Sequence, residues 1–236
     1  MALVTSQRFR VTFRKGERVR YISHLDVLRY WERAIRRAGL PLAYSQGFTP
    51  HPKIAFASPL PLGFIGEAEI MDVTLDEVID NARLRSALAG ESTADLTAIE
   101  AIEVSTAGPA PQSVLLWADY AVDLNGMDFA TADERAGQFL GLKTFEWTEE
   151  RKEKPKTYDL RAAVAQLRIV EGDSGGPRLE MRLQADQALT ARPEQVLEAL
   201  FPSATAGVYA RTGLVLDDAS QARDLWRRKG RFDQWP

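Results

Sequence analysis

The two histidines are the residues with the clearest chemical potential in this chain. His24 and His51 are its only histidines. An imidazole can transfer a proton, hydrogen-bond a nucleotide or ligate a metal near neutral pH. His51 stands between Pro50 and Pro52, which fix their own φ angles and push each preceding residue towards extended backbone. We therefore expect the GFTPHP loop (residues 44–52, named for its last six residues) to present His51 rigidly to a ligand.

His24 lies where a helix is predicted to begin. Ser23 is a good N-cap residue, and Asp26 follows at the position of the capping-box acid. The helix dipole disfavours a charged imidazole at this point. Phe48 follows a glycine and is predicted to be an exposed stacking platform. We expect one pocket at the helix start, into which the histidines both face, lined by Ser23, His24, Asp26, Tyr44, Gly47, Phe48 and His51.

Several kinds of catalytic site have little support in the sequence. A metal site would need His24, Asp26 and His51 to converge, and no dense ligand motif such as HExxH is present, so we predict neither a metal nor another cofactor. A Ser-His-Asp triad using Ser23 or Ser45 lacks the nucleophile-elbow pattern. The chain has no cysteine, which excludes disulfides, thiolate ligands and cysteine nucleophiles. General acid–base chemistry by the two histidines stays open as an alternative to a non-catalytic role.

Charge is distributed unevenly along the chain. Residues 1–58 contain 11 Lys or Arg and three acidic residues, although the whole chain has a net charge of −3. Such a segment indicates either a surface that faces a polyanion or a solvated face balanced by acidic neighbours. In the second half, a basic run surrounds Tyr158. The predicted nucleic-acid contacts are Arg8, Arg10, Arg14, Arg29, Arg33, Arg36, Arg37, Phe48, Lys156 and Arg161.

The hydrophobic pattern predicts an α+β fold. Residues 8–15 alternate as a half-buried strand with a basic outer face, and a helix follows from residue 24 to about residue 38, closed by Gly39. Further along, the pattern predicts two strands, a second helix and a fourth strand, within residues 53–60, 67–75, 78–90 and 96–105. This order is that of a ferredoxin-like split βαβ unit with an antiparallel sheet.

The same order of elements recurs in the second half. Residues 106–113 (TAGPAPQS) read as a linker, so we predict two tandem ferredoxin-like domains with antiparallel sheets, at residues 1–106 and 113–218. The first carries the basic helix and the GFTPHP loop. Residues 219–236 form a basic, aromatic tail. The apolar runs are shorter than the roughly 20 residues of a membrane helix, and we expect no secretory signal at the N-terminus. We expect a cytoplasmic protein without membrane contact.

The segment from Arg20 to Gly63 resembles a known bacterial family, the radical-SAM-associated domain of unknown function. That domain is found alone or fused behind a cobalamin-type radical SAM protein. The resemblance is carried by four motifs and extends weakly to a Lys-x-x-Asp-hydrophobic-Arg element formed by Lys156, Asp159 and Arg161. Thr49 departs from the family, which usually has Asn there. The four motifs are SHLD (23–26), ERAIRRAGLP (32–41), YSQGFTPHP (44–52) and LPLG (60–63).

The resemblance implies an association with radical SAM chemistry. Because the chain has no cysteine, it cannot hold the radical SAM cluster, and the enzyme would be a separate polypeptide. We therefore predict an accessory protein that binds RNA or presents a substrate. One alternative is a metal-independent ribonuclease using His24 and His51, by fold analogy with the CRISPR repeat-cleaving ribonucleases. The other is a protein–protein adaptor for a radical SAM enzyme.

Overall fold

The computed structural model describes residues 6–149 and 154–217. The predicted tail, residues 219–236, lies outside the described residues, as do Arg151 and Lys152. The first half contains β1 (Gln7–Lys15), α1 (His24–Arg37), β2 (Ile54–Phe56), β3 (Ile65–Leu75), α2 (Asn81–Glu91) and β4 (Leu96–Val104). The second half contains β5 (Leu115–Asn125), α3 (Phe129–Leu140), β6 (Glu146–Glu149), β7 (Lys156–Asp159), β8 (Val164–Glu171), β9 (Pro177–Gln184), α4 (Pro193–Leu200), β10 (Thr205–Ala206) and β11 (Ala210–Leu216).

Nine of the described strands form one mixed sheet, which confirms the α+β class. Its main path is β4-β1-β3-β11-β5-β9-β8, with β2 added to β3 and β10 added to β5. β6 and β7 form a separate two-stranded sheet. The two halves join where β11 runs parallel to β3, with Ala210 opposite Ile65 and Arg211 opposite Gly66. The sheet is therefore continuous and mixed, where the sequence pattern predicted separate antiparallel sheets.

The described residues form two apolar clusters, one centred in each half. One lies between the first-half strands and helices α1 and α2, and includes Phe9, Trp31 and Leu84. The other lies beneath α3 and α4 and includes Phe139 and Leu200. Within the described ranges, no helix has both the length and the apolar character that crossing a membrane requires.

Helix α1 matches its predicted limits because its ends are encoded locally. The Asp26 N–H donates to Ser23 Oγ at 3.2 Å, and the Ser23 N–H donates to Asp26 Oδ2 at 3.3 Å, which completes the capping box. Gly39 adopts a φ of +66° just beyond the helix, a conformation that favours glycine. Val27, Trp31, Ala34 and Ile35 are its buried residues.

The prediction that β1 has a basic, exposed outer face is wrong at Arg10. Arg10 is 3% exposed, because β1 is a central strand between β4 and β3 and is covered on both faces. Its guanidinium pairs with Asp72 on the neighbouring strand, with Nε–Oδ1 at 2.8 Å and Nη2–Oδ2 at 3.1 Å. Arg8 Nη1 donates to the carbonyl of Gly108, which lies in the linker, at 3.0 Å. Arg14 stays exposed at the end of the strand.

Candidate functional site

One face of helix α1 carries exposed arginines with few counter-charges. Arg29, Arg33 and Arg36 follow one another at helical spacing and are all exposed. Arg29 lies 3.5 Å from Asp26, but both side chains are more than half exposed, so this pair contributes little. Arg33 and Arg36 form no salt bridge within the described part of the chain. Arg37 differs, since its Nη2 lies 2.7 Å from Glu91 Oε2.

The GFTPHP loop is closed on itself at its base. The Ser45 N–H donates to the His51 carbonyl at 2.8 Å, and the His51 N–H donates to Ser45 Oγ at 2.9 Å. Gly47 has a φ of +130°, which side chains with a Cβ rarely adopt. Phe48 follows it and is fully exposed to solvent. The loop therefore presents an aromatic ring to solvent from a backbone that is held in place.

Tyr44 joins this loop to the basic helix. Its phenol donates to Glu32 Oε1 at 3.0 Å, and Arg36 lies near the same phenol. Partial burial, followed by the hydrogen bond to Glu32, raises the pKa of Tyr44, so the phenol keeps its proton at neutral pH. The loop and the arginine face thus belong to one surface, which we call the arginine–loop surface: Arg29, Arg33, Arg36 and residues 44–52.

His24 points into a small pocket of about 10 Å³, room for roughly one water molecule. Its ring packs edge-on against Phe56, with 4.7 Å between ring centroids. The pocket brings together residues from β1, α1, β3 and the segment around β2. They are Phe13, Lys15, His24, Val27, Phe56, Ser58, Leu60 and Glu69.

A buried charge network forms the polar side of this pocket. Lys15, Glu69 and Arg211 are 2%, 3% and 1% exposed. Arg211, from β11 in the second half, pairs with Glu69 and also donates to the Ser58 carbonyl at 2.9 Å. Lys15 Nζ donates to the carbonyls of Arg20 and Ile22, both at 3.1 Å, and so fixes the turn before α1.

This environment favours a neutral imidazole at His24. Burial lowers the pKa of His24, and the nearby cations Arg211 and Lys15 lower it further, against the opposing effect of Glu69. Burial likewise lowers the pKa of Lys15. His24 therefore lies between apolar side chains and buried charges, with its charged form disfavoured.

Of the residues predicted to line a single pocket, only His24 lines the pocket described above. Ser23 and Asp26 are bonded to each other in the helix cap. His51 is not among the residues that line that pocket and is exposed on the loop. Across residues 6–149 and 154–217, no three metal-ligating side chains come together, so His24, Asp26 and His51 do not form a metal site.

The basic element of the second half has a structural role. Arg161 Nη1 donates to the Val164 carbonyl at 3.0 Å and Nη2 to the Leu140 carbonyl at 3.1 Å, at the end of α3. Asp159 Oδ1 accepts the N–H groups of Phe145 at 2.9 Å and Arg161 at 3.0 Å. Because these contacts occupy the guanidinium, the predicted phosphate contact at Arg161 is not supported. Lys156 is half-buried on β7.

Sequence reasoning missed the charge network around His24. Lys15 follows Phe9, Val11 and Phe13 on the same face of β1, so the alternating pattern of this strand already indicated that its side chain points inwards. Arg211 gave no such signal, because it lies 142 residues from its partner Glu69. A single sequence does not show which distant charges meet.

Comparisons with known proteins give a fold and a family. A chain in the solved structure titled "Crystal Structure of a Cbf5-Nop10-Gar1 Complex" matches with a TM-score of 0.50 and 12% sequence identity, over 89% of this chain and 50% of that one. This chain spans about half the length of that relative, and the likeness shows the fold alone. A comparison with curated proteins found no match. Residues 8–193 match a family described as "Uncharacterized protein conserved in bacteria (DUF2344)". The match covers most of the chain, and the protein therefore belongs to the DUF2344 family.

Proposed function

We propose that this protein binds RNA through its arginine–loop surface. The observation that carries the proposal is that weakly compensated arginines on α1 lie beside an exposed aromatic ring, Phe48, on a loop whose base is closed by hydrogen bonds. Arginines supply the charge that holds phosphates, and aromatic rings supply faces on which bases stack. The two features lie on adjacent elements linked by Tyr44.

Three arginines on the second-half strands of the sheet are already matched with carboxylates. On strands β5 and β9, Arg182 Nε lies 2.7 Å from Asp119 Oδ1, and Arg178 Nε lies 2.6 Å from Asp123 Oδ1. On β8, Arg168 Nη2 lies 2.5 Å from Glu180 Oε2. A phosphate at these positions would have to displace or face a carboxylate. The charge pattern therefore favours α1 over the sheet face.

The arginine row has a length suited to a short run of phosphates. Positions 29 to 36 span roughly 10 Å along the helix axis. At about 3.4 Å of rise per nucleotide along one strand of a duplex, this length corresponds to about three nucleotide steps. Arg29, Arg33 and Arg36 can therefore each contact a separate phosphate.

We also propose that the protein consists of two tandem ferredoxin-like units and acts beside a radical SAM enzyme. With β6, β7 and β10 left out, each half has four strands whose order in the sheet is fourth, first, third, second: β4-β1-β3-β2 and β11-β5-β9-β8. We interpret the halves as tandem ferredoxin-like units, divided at residues 106–113. The resemblance in residues 20–63 supports a role beside a separate radical SAM enzyme, to which the bound RNA would be presented. Co-purification of the two proteins tests that partnership, and failure to associate at low salt would remove it.

The ribonuclease alternative needs both histidines to reach one phosphodiester. His24 lies in a pocket with room for about one water molecule, and His51 is exposed outside it. General acid–base catalysis requires both groups within hydrogen-bonding reach of the reacting atoms. We therefore favour binding without cleavage, and we treat cleavage as an outcome that experiment can detect.

The test is RNA binding by the purified full-length protein at low salt, with gel analysis of the RNA afterwards. We expect binding, intact RNA, and a large loss of binding in an Arg33→Glu/Arg36→Glu variant. The matched control is Lys143→Glu, which reverses an exposed charge in the second half. Absence of binding at low salt, or equal loss in the control, would overturn the proposal. Cleavage abolished by His51→Ala would replace it with the ribonuclease function.

A further inference from the structure

We infer that the nucleic acid bound at the arginine–loop surface carries an unpaired base, which stacks on Phe48. This inference rests on the proposed function and names its substrate class, a single-stranded segment or loop. It is carried by the exposure of Phe48, by the closure of the loop and by the position of the loop beside α1.

The exposure of Phe48 is unusual for a large apolar side chain. A phenylalanine exposed to this degree leaves its whole apolar surface in water, where its burial in the core would be favourable. The loop backbone directs it outwards, since Gly47 at a φ of +130° sets the chain direction immediately before it. A base that stacks on the ring would remove apolar surface from water without moving the protein backbone.

The closed loop lowers the cost of that contact. Two hydrogen bonds between Ser45 and His51 and the isolated bridge between Tyr44 and Pro52 fix the base of the loop. Pro50 fixes a further φ angle within it. A ligand therefore loses little affinity to ordering the loop, because most of that ordering occurs on folding.

A base-paired duplex does not fit this arrangement. In double-stranded RNA the faces of the bases are covered by their neighbours in the stack, and proteins read such helices by backbone shape. Only an unpaired base offers a free face to a protruding ring. The arginine row would then hold the phosphates that flank the stacked nucleotide. A second possible occupant of Phe48 is an apolar pocket on a partner protein, which predicts RNA binding that does not depend on this ring.

The experiment measures fluorescence anisotropy with a labelled single-stranded RNA, the same sequence as a duplex, and the same sequence as single-stranded DNA. Single strands should bind more tightly than the duplex at equal salt. Phe48→Ala should weaken single-strand binding by about 5-fold or more and leave duplex binding unchanged, while Phe48→Trp should retain binding. Phe129→Ala, which removes an exposed ring on α3, is the control. The RNA and DNA arms show which polymer is preferred.

Each outcome separates this inference from the proposed function. Duplex binding as tight as single-strand binding, or unchanged binding by Phe48→Ala, would overturn the inference and leave RNA binding standing. Absence of binding in every arm would overturn both. Because Phe48 makes no core contact, its replacement should not unfold the protein, and a circular dichroism melt of each variant verifies this.

Discussion

The arginine row on α1 makes a quantitative prediction about salt dependence. If Arg29, Arg33 and Arg36 each neutralise one phosphate of a single strand, the slope of log affinity against log salt concentration should be about −2. Affinity should then fall about 20-fold between about 50 and 200 mM salt. Arg33→Ala removes one contact, so its slope should be about −1.4 and its loss over the same range about 7-fold.

Arg37 offers a control on the same helix. Its guanidinium is already paired with Glu91 at 2.7 Å, so Arg37→Ala should change the slope much less than Arg33→Ala. The assay is fluorescence anisotropy at four or more salt concentrations with one labelled RNA. Equal slopes for the two variants would refute the argument that unpaired arginines are the ones that bind phosphate. An unchanged slope in Arg33→Ala would remove α1 from the interface.

Three further predictions concern the buried network and the loop. Glu69→Ala leaves Arg211 buried without its partner, and should lower the free energy of unfolding by about 3–5 kcal/mol in a denaturant titration; a loss below about 1 kcal/mol would contradict this. Folding lowers the pKa of His24 from 6.5, so the imidazole takes up a proton in the unfolded chain before it does so in the folded protein as pH falls. The free energy of unfolding should therefore decline below about pH 6.5. The His24→Gln variant should show a flatter decline in urea melts from about pH 5 to 7. In an NMR titration of the His51→Gln variant, His24 gives the one remaining imidazole signal, and a titration midpoint at or above 6.5 would contradict the lowered pKa of His24. Gly47→Val forces a β-branched residue towards a φ of +130°, and should reduce RNA affinity towards that of Phe48→Ala; unchanged affinity would show that the loop backbone does not position the ring.

Features encoded over a few residues were predictable from the sequence. The cap of Ser23 and Asp26, the glycine at position 39 and the order of strands and helices all follow from local patterns. The exposure of Phe48 followed from the glycine before it and the prolines after it. Each of these depends on the backbone preferences of neighbouring residues, which a single sequence contains in full.

Features that depend on distant residues were not predictable. Arg10 alternated with apolar residues as an exposed residue would, but Asp72, 62 positions away, pairs with it inside the sheet. Alternation cannot distinguish a strand covered on one face from a strand covered on both. The pocket at His24 differs from the predicted one for the same reason, since Lys15 and Glu69 line it and His51 does not.

The parallel contact between β3 and β11 has a consequence for how the chain folds during synthesis. Glu69 is buried in the first half, yet its cation, Arg211, emerges from the ribosome 142 residues later. Until then, Glu69 lacks its cation, and the edge of β3 at Ile65 and Gly66 lacks its partner strand. Contacts of such long sequence separation form late and slow the folding of a domain. The nascent first half therefore exposes an unpaired strand edge, and a chain that ends before residue 210 should be prone to aggregate.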